Sequence, residues 1–162
     1  MRQIFGEFPA ESYISGETIP IGSRIVFNSW ASQSGCYFGL IAPYFEEFAT
    51  RNGGATLDTI NAMMVLGGAD LEIALTRCDL MLDDFSSLEI SWRFHQGSEK
   101  HPDCPERQVF VWLYKRRLLD VVSWLRARFA GALERNHCIV FGNGLCYRML
   151  AGVSSEGGEV YS

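Results

Sequence analysis

VFVWLYKRRLLDVVSWLRARFAGALERN (Val109–Asn136) decides how the chain folds, because its first six residues and the rest follow different rules. Apolar residues at Phe110, Leu113, Leu118, Val121, Val122, Leu125, Phe129 and Leu133 recur every three or four positions, which predicts a long amphipathic helix near 109–135. Taken alone, VFVWLY is β-branched and aromatic enough to be a strand. Asn136 tolerates the left-handed conformation that ends helices. Beyond it, HCIVF and LCYRML flank Asn143–Gly144, a favoured tight-turn pair, so a hairpin is expected near 138–150.

Upstream, HQGSEKHPDCPER (His95–Arg107) is polar and holds two prolines, so it reads as a loop, and LEISWRF from Leu88 alternates as a strand does. Leu71, Leu75, Cys78 and Leu82 are spaced for a helix. A further helix is expected over LDTINAMMVL after Thr56, a suitable N-cap. Pro43 suits the first turn of a short helix ending at Asn52–Gly54. SRIVFNSW and CYFGLIA are rich in strand formers and predict a hairpin near 23–42. Residues 1–22, broken by Gly6, Pro9, Gly16, Pro20 and Gly22, read as an irregular arm or edge strand, and 152–162 as a flexible tail. Strands first, helices in the middle and a terminal hairpin make an α+β chain, and 162 residues suit a single domain.

The net charge is −5, so the summed field opposes direct nucleic-acid binding. Acidic residues gather at Asp70, Glu72, Asp79, Asp83, Asp84 and Glu89; basic ones gather at Lys115, Arg116, Arg117, Arg126, Arg128 and Arg135. Such a dipolar chain can pair its charges internally, across a homodimer or with a charged protein. Five cysteines without a regular framework point to free thiols in a reducing, cytoplasmic setting. No apolar run reaches membrane-spanning length. Phosphate loops, dinucleotide fingerprints, paired CxxC and nucleophile elbows are all missing from the sequence.

Two constellations carry candidate chemistry. Cys36, after Ser34 and Gly35, is followed in the chain by His137 and Asn143, and this Cys, His, Asn order resembles that of papain-like cysteine enzymes. The resemblance rests on three separated residues and implies a hydrolase or deamidase in which His137 activates the Cys36 thiol and Asn143 orients the imidazole. The family's cysteine opens a long helix, whereas here Pro43 puts the next helix seven residues later. His101 with Cys104, and His137 with Cys138, are the residue pairs with metal-ligand chemistry, but adjacent strand residues point to opposite faces. No metal or cofactor is expected.

The reading favoured by the acidity, small size and aromatic surplus is a non-enzymatic protein that binds another, basic protein as an inhibitor, immunity-type protein or adaptor. Tyr37, Tyr44, Phe45 and Trp92 are its candidate anchors, with Phe38 beside them. Asp79, Asp83 and Asp84 are its steering charges.

Overall fold

A computed structural model describes residues 2–12, 23–28, 34–48, 51–52, 55–56, 63–143 and 159–161. From the N-terminus, β1 (Arg2–Pro9) leads through a 3-10 turn (Ala10–Ser12) towards β2 (Ser23–Asn28). Helix α1 (Ser34–Ile41) runs into a 3-10 helix (Ala42–Phe48). The two-residue strands β3 (Arg51–Asn52) and β4 (Ala55–Thr56) pair with each other and precede β5 (Met63–Leu66). Then come α2 (Ala69–Ser86), β6 (Ser91–His101), β7 (Cys104–Tyr114), α3 (Lys115–Glu134), β8 (His137–Asn143) and β9 (Glu159–Tyr161). This is an α+β fold.

Five strands form the main sheet in the order β5-β8-β1-β2-β9, antiparallel except where β9 joins β2 in parallel. Strand β1 is therefore central, not an irregular arm or an edge. Gly6 is paired on both sides, with Arg24 and Val140, and Pro9 comes last, opposite His137, where its missing N–H costs one terminal bond.

The core lies where the helices meet. Leu71, Ala74, Cys78, Met81 and Phe85 of α2 face Leu118, Val121, Val122, Leu125 and Phe129 of α3, and α1 with its 3-10 extension adds Tyr37, Phe38, Ile41 and Phe45. Each buried Val, Leu, Ile, Met or Phe among them stabilises the fold by roughly 1.5–3 kcal/mol through burial. Helix α2 follows the spacing read from the sequence. At its start Gly67 passes close to β8, where a methyl group would lie 2.7 Å from Cys138 Sγ.

Elsewhere packing overrides local preference. The hairpin expected near 23–42 has its first strand in β2, but Cys36–Ile41 is helical, because an all-apolar run of this length suits a buried helix as well as a strand. Met63–Leu66, expected to be helical, is a strand paired with β8. The long helix expected from 109 begins at Lys115. Tyr114, extended at φ −126° and ψ 128°, is its N-cap, and VFVWLY belongs to β7. The C-terminus follows expectation, with Asn136 at φ 54°.

The expected loop over 95–107 is instead the outer half of a ribbon in which β6 and β7 pair antiparallel. A bulge at Gln96 is accommodated by Gly97 at φ 143°, a conformation open to glycine, and Pro102 sits in the closing turn. Residues 144–150, the second half of the hairpin expected near 138–150, lie outside the described residues. Of the tail expected to be flexible, Glu159–Tyr161 is strand β9 and the remainder lies outside them too. Among the described residues, no helix is long and apolar enough to cross a membrane.

Candidate functional site

The outward face of α2 and the 3-10 helix beside it carry a surface groove among the described residues. It has a volume of about 490 Å³ and is lined by Pro43, Tyr44, Glu46, Glu47 and Arg77. Arg77 spans it with paired hydrogen bonds, Nε to Glu47 Oε1 at 2.9 Å and Nη2 to Glu47 Oε2 at 3.0 Å. Tyr44 packs edge-on against Phe85 at 5.5 Å and donates its hydroxyl to Asp84 Oδ2 at 2.8 Å. Loss of solvation and the adjacent Asp84 carboxylate push the Tyr44 hydroxyl up to about 12.

On the crest of α2, Ile73 and Leu80 stand exposed seven residues apart, flanked by the exposed Glu72 and Asp83. Asp79 turns towards α3, where Arg126 Nε donates to Oδ1 at 2.6 Å; that bond holds the Asp79 carboxyl below its ordinary range. Part of the sequence's charge separation is thus settled by pairing within the chain.

The expected anchor set divides. Tyr44 lies in the groove with Asp84 hydrogen-bonded to it, and Asp83 is exposed nearby. Tyr37 and Phe45 belong to the core, 1% and 0% exposed, and Phe38 is buried beside them. Their aromatic rings are worth more inside than in water. Tyr37 also accepts a hydrogen bond on its hydroxyl from Tyr114 N–H at 2.8 Å, tying α1 to the start of α3. Trp92 packs partly buried against the core, because strand alternation turns it inward with Phe94.

Residues outside the expected anchor set are exposed instead, among them Phe110, which the helical spacing sets on a core-facing stripe. Phe110, Trp112 and Tyr114, at alternate positions of β7, are 47%, 51% and 47% exposed on the outer face of the ribbon. Arg93 lies over the Phe110 ring at 4.5 Å, and His95 stacks beside it and donates from Nε2 to Gln108 Oε1. The signal was present as the alternation of VFVWLY, once that segment is taken as a strand.

The residues of the cysteine-enzyme resemblance are placed differently from what it implies. Cys36 does lie in the first turn of a helix, closer to the family pattern than the sequence suggested. The thiol is 8% exposed, however, and burial raises its pKa, opposite to the shift a nucleophile needs. His137 Nδ1 donates to Glu7 Oε1 at 2.8 Å, an oxygen that also accepts from Arg135 Nε at 2.9 Å and Nη2 at 2.6 Å. The imidazole's orienting group is therefore Glu7, a residue with no sequence signal of its own. Among the described residues no hydrogen bond joins Cys36 to His137, and the Asn143 side chain lies outside them. Those of His101 and Cys104 also lie outside the described residues, among which no three of His, Cys, Asp and Glu are grouped to hold a metal ion.

The buried thiols have a consequence at alkaline pH. Burial, and secondarily Asp79, push Cys78 up to about 12 against an ordinary value of 9.0, and burial raises Cys138 as well. The folded state keeps protons that the unfolded state releases above pH 9, so stability is full below that value and falls as pH rises towards 12. The slope for Cys78 alone is about 1.4 kcal/mol per pH unit. Denaturant midpoints measured from about pH 9 upward are expected to fall steeply for the wild type and less steeply for Cys78→Ala; parallel profiles would contradict this origin.

Set against protein-family models, characterised proteins and solved structures, the chain matches none of them.

Proposed function

We propose that the chain acts by binding another protein through the crest of α2 and the adjoining groove, in the role of an inhibitor, immunity-type protein or adaptor. The observation that carries this reading is the exposure of Ile73 and Leu80 on an acidic helix face beside the Tyr44–Asp84 rim. An apolar centre ringed by charge is the anatomy of a protein interface. The steering charges there are negative, so the partner is basic, and the chain's net charge of −5 makes nucleic acid itself a poor ligand. Free, buried Cys36, Cys78 and Cys138 support a reducing compartment such as the cytoplasm.

The test is affinity capture from the native cell at low and high salt, with wild type and Leu80→Arg as baits. A basic protein should be retained by the wild type, released by salt, and held at least about tenfold more weakly by Leu80→Arg. Equal retention by both baits, or no retained protein at either salt, would overturn the reading.

A further inference from the structure

We propose that two copies of the chain associate reciprocally, the outer face of the ribbon of one copy seated on the α2 crest of the other. Among the described residues the exposed large hydrophobic side chains all fall on these two surfaces: Ile73 and Leu80 on α2, and Ile90, Phe110, Trp112 and Tyr114 at the foot of the ribbon. The charges beside the α2 pair and beside the ribbon's aromatic rings are opposite in sign, although the exposed Glu89 precedes Ile90 and the exposed Glu106 lies further along β7. Glu72 and Asp83 flank the α2 pair. Arg93 lies among the ribbon aromatics, and Arg116 follows two residues after Tyr114 in the first turn of α3. Among the described residues none of these four charges has an ion-pair partner.

The ribbon is built to present this face. Trp92, Phe94, Val111 and Leu113 point to the core, so alternation leaves Arg93, His95, Phe110, Trp112 and Tyr114 outward. The His95–Gln108 hydrogen bond and the Arg93–Phe110 stack hold the face in order before any partner arrives, which lowers the entropy lost on binding. Along 92–113, among the described residues, neither strand has a backbone hydrogen-bond partner outside the hairpin. The inner face of the ribbon packs on the core, while its outer aromatic face is open to a cover.

A second copy is favoured as that cover because the chain itself carries the complementary surface, apolar and acidic, at equal stoichiometry. The two patches also adjoin. Strand β6 starts five residues after α2 ends, and Lys115 Nζ, at the foot of the ribbon, donates to Ser86 O in the last turn of α2 at 3.1 Å. Adjoining, mutually complementary patches can close a two-fold pair in which each contact is made twice. The proposal goes beyond the binding function above. It also implies that a basic partner engaging α2 competes with the chain's own ribbon.

The experiment is sedimentation velocity on the purified full chain over a range of concentrations, at low and high salt. The expected result is a species of twice the 18.2 kDa chain mass, weakened by salt and at least about tenfold by Trp112→Ala. Two charge-reversed chains sharpen it: Glu72→Arg with Asp83→Arg, and Arg93→Glu with Arg116→Glu. Each alone should be monomeric, and an equimolar mixture should restore the dimer, since both contacts are then again between opposite charges. Circular dichroism establishes that each variant is folded; if a double variant is not, Asp83→Asn and Arg93→Gln replace the pair, each expected to weaken the dimer. A monomer at every concentration overturns the proposal. So does a dimer that survives the α2 reversal, which would mean ribbon packing on ribbon. Oligo-dT that binds the wild type, fails to bind Trp112→Ala and leaves the chain monomeric would overturn it in favour of a nucleic-acid face. Because the chain is studied alone, failure here leaves the capture experiment to decide the partner reading independently.

Discussion

Phe45→Ala is expected to lower the free energy of unfolding by about 3–5 kcal/mol, the range for removing a fully buried aromatic ring. Phe45 is completely buried, with its ring edge-on to Phe129 at 5.8 Å and tilted against Phe48 at 6.5 Å. Its loss opens a cavity between the 3-10 helix and α3 that neither can close without moving the other. Urea denaturation measures the loss directly. Sequence patterning sets Phe45 among partner anchors, and that placement has a different signature: a surface anchor weakens binding while stability moves by roughly 0.5 kcal/mol or less. A midpoint near wild type would mean the ring is not in the core.

Glu7→Ala is expected to cost about 2–3 kcal/mol. Glu7 is the one buried charged residue among those described, 8% exposed on the central strand, and its Oε1 gathers three donors from Arg135 and His137. Removing one partner of a buried ion pair costs ~3–5 kcal/mol when the other charge is trapped. Here the Arg135 and His137 side chains are 52% and 27% exposed and can turn to water, so the lower part of that scale applies. Glu7→Gln, which keeps an acceptor in place, should lose about half as much, since only the charge assistance goes. Equal losses for Ala and Gln would mean that the charge, and not the hydrogen-bond geometry, holds the end of β8 to β1.

Both residues show where sequence reading stops. Helix α2 is legible because the spacing of Leu71, Leu75, Cys78 and Leu82 reflects one core-facing stripe, a property of the helix itself. The end of α3 at Asn136 is legible for the same local reason, a backbone conformation that few residues tolerate. Asp83 and Asp84 are legible as exposed because carboxylates are seldom buried unpaired, whereas Tyr44 carries the same local signal as the buried Tyr37 and Phe45. The strand alternation of LEISWRF and of VFVWLY is legible, but the outer half of the ribbon is not, because polar residues and two prolines near its tip outweigh, in any local window, the pairing of Ser98 with Gln108 and of Glu99 with Arg107. Strand β1 was missed because its partners lie across the chain: Glu7 is next to Ser23 on one side and Ile139 on the other.

Composition and local pattern by themselves determined the α+β class, the acidic character, the helix at α2 and the amphipathic body of α3, since each depends on neighbours within a few residues or on simple sums. Only the tertiary structure decided that Tyr37 and Phe45 fill the core while Phe110, Trp112 and Tyr114 face water, and that Glu7 holds the His137 ring. Burial and long-range pairing are settled by which surfaces meet, and an aromatic ring carries the same local signal whether it ends inside or out.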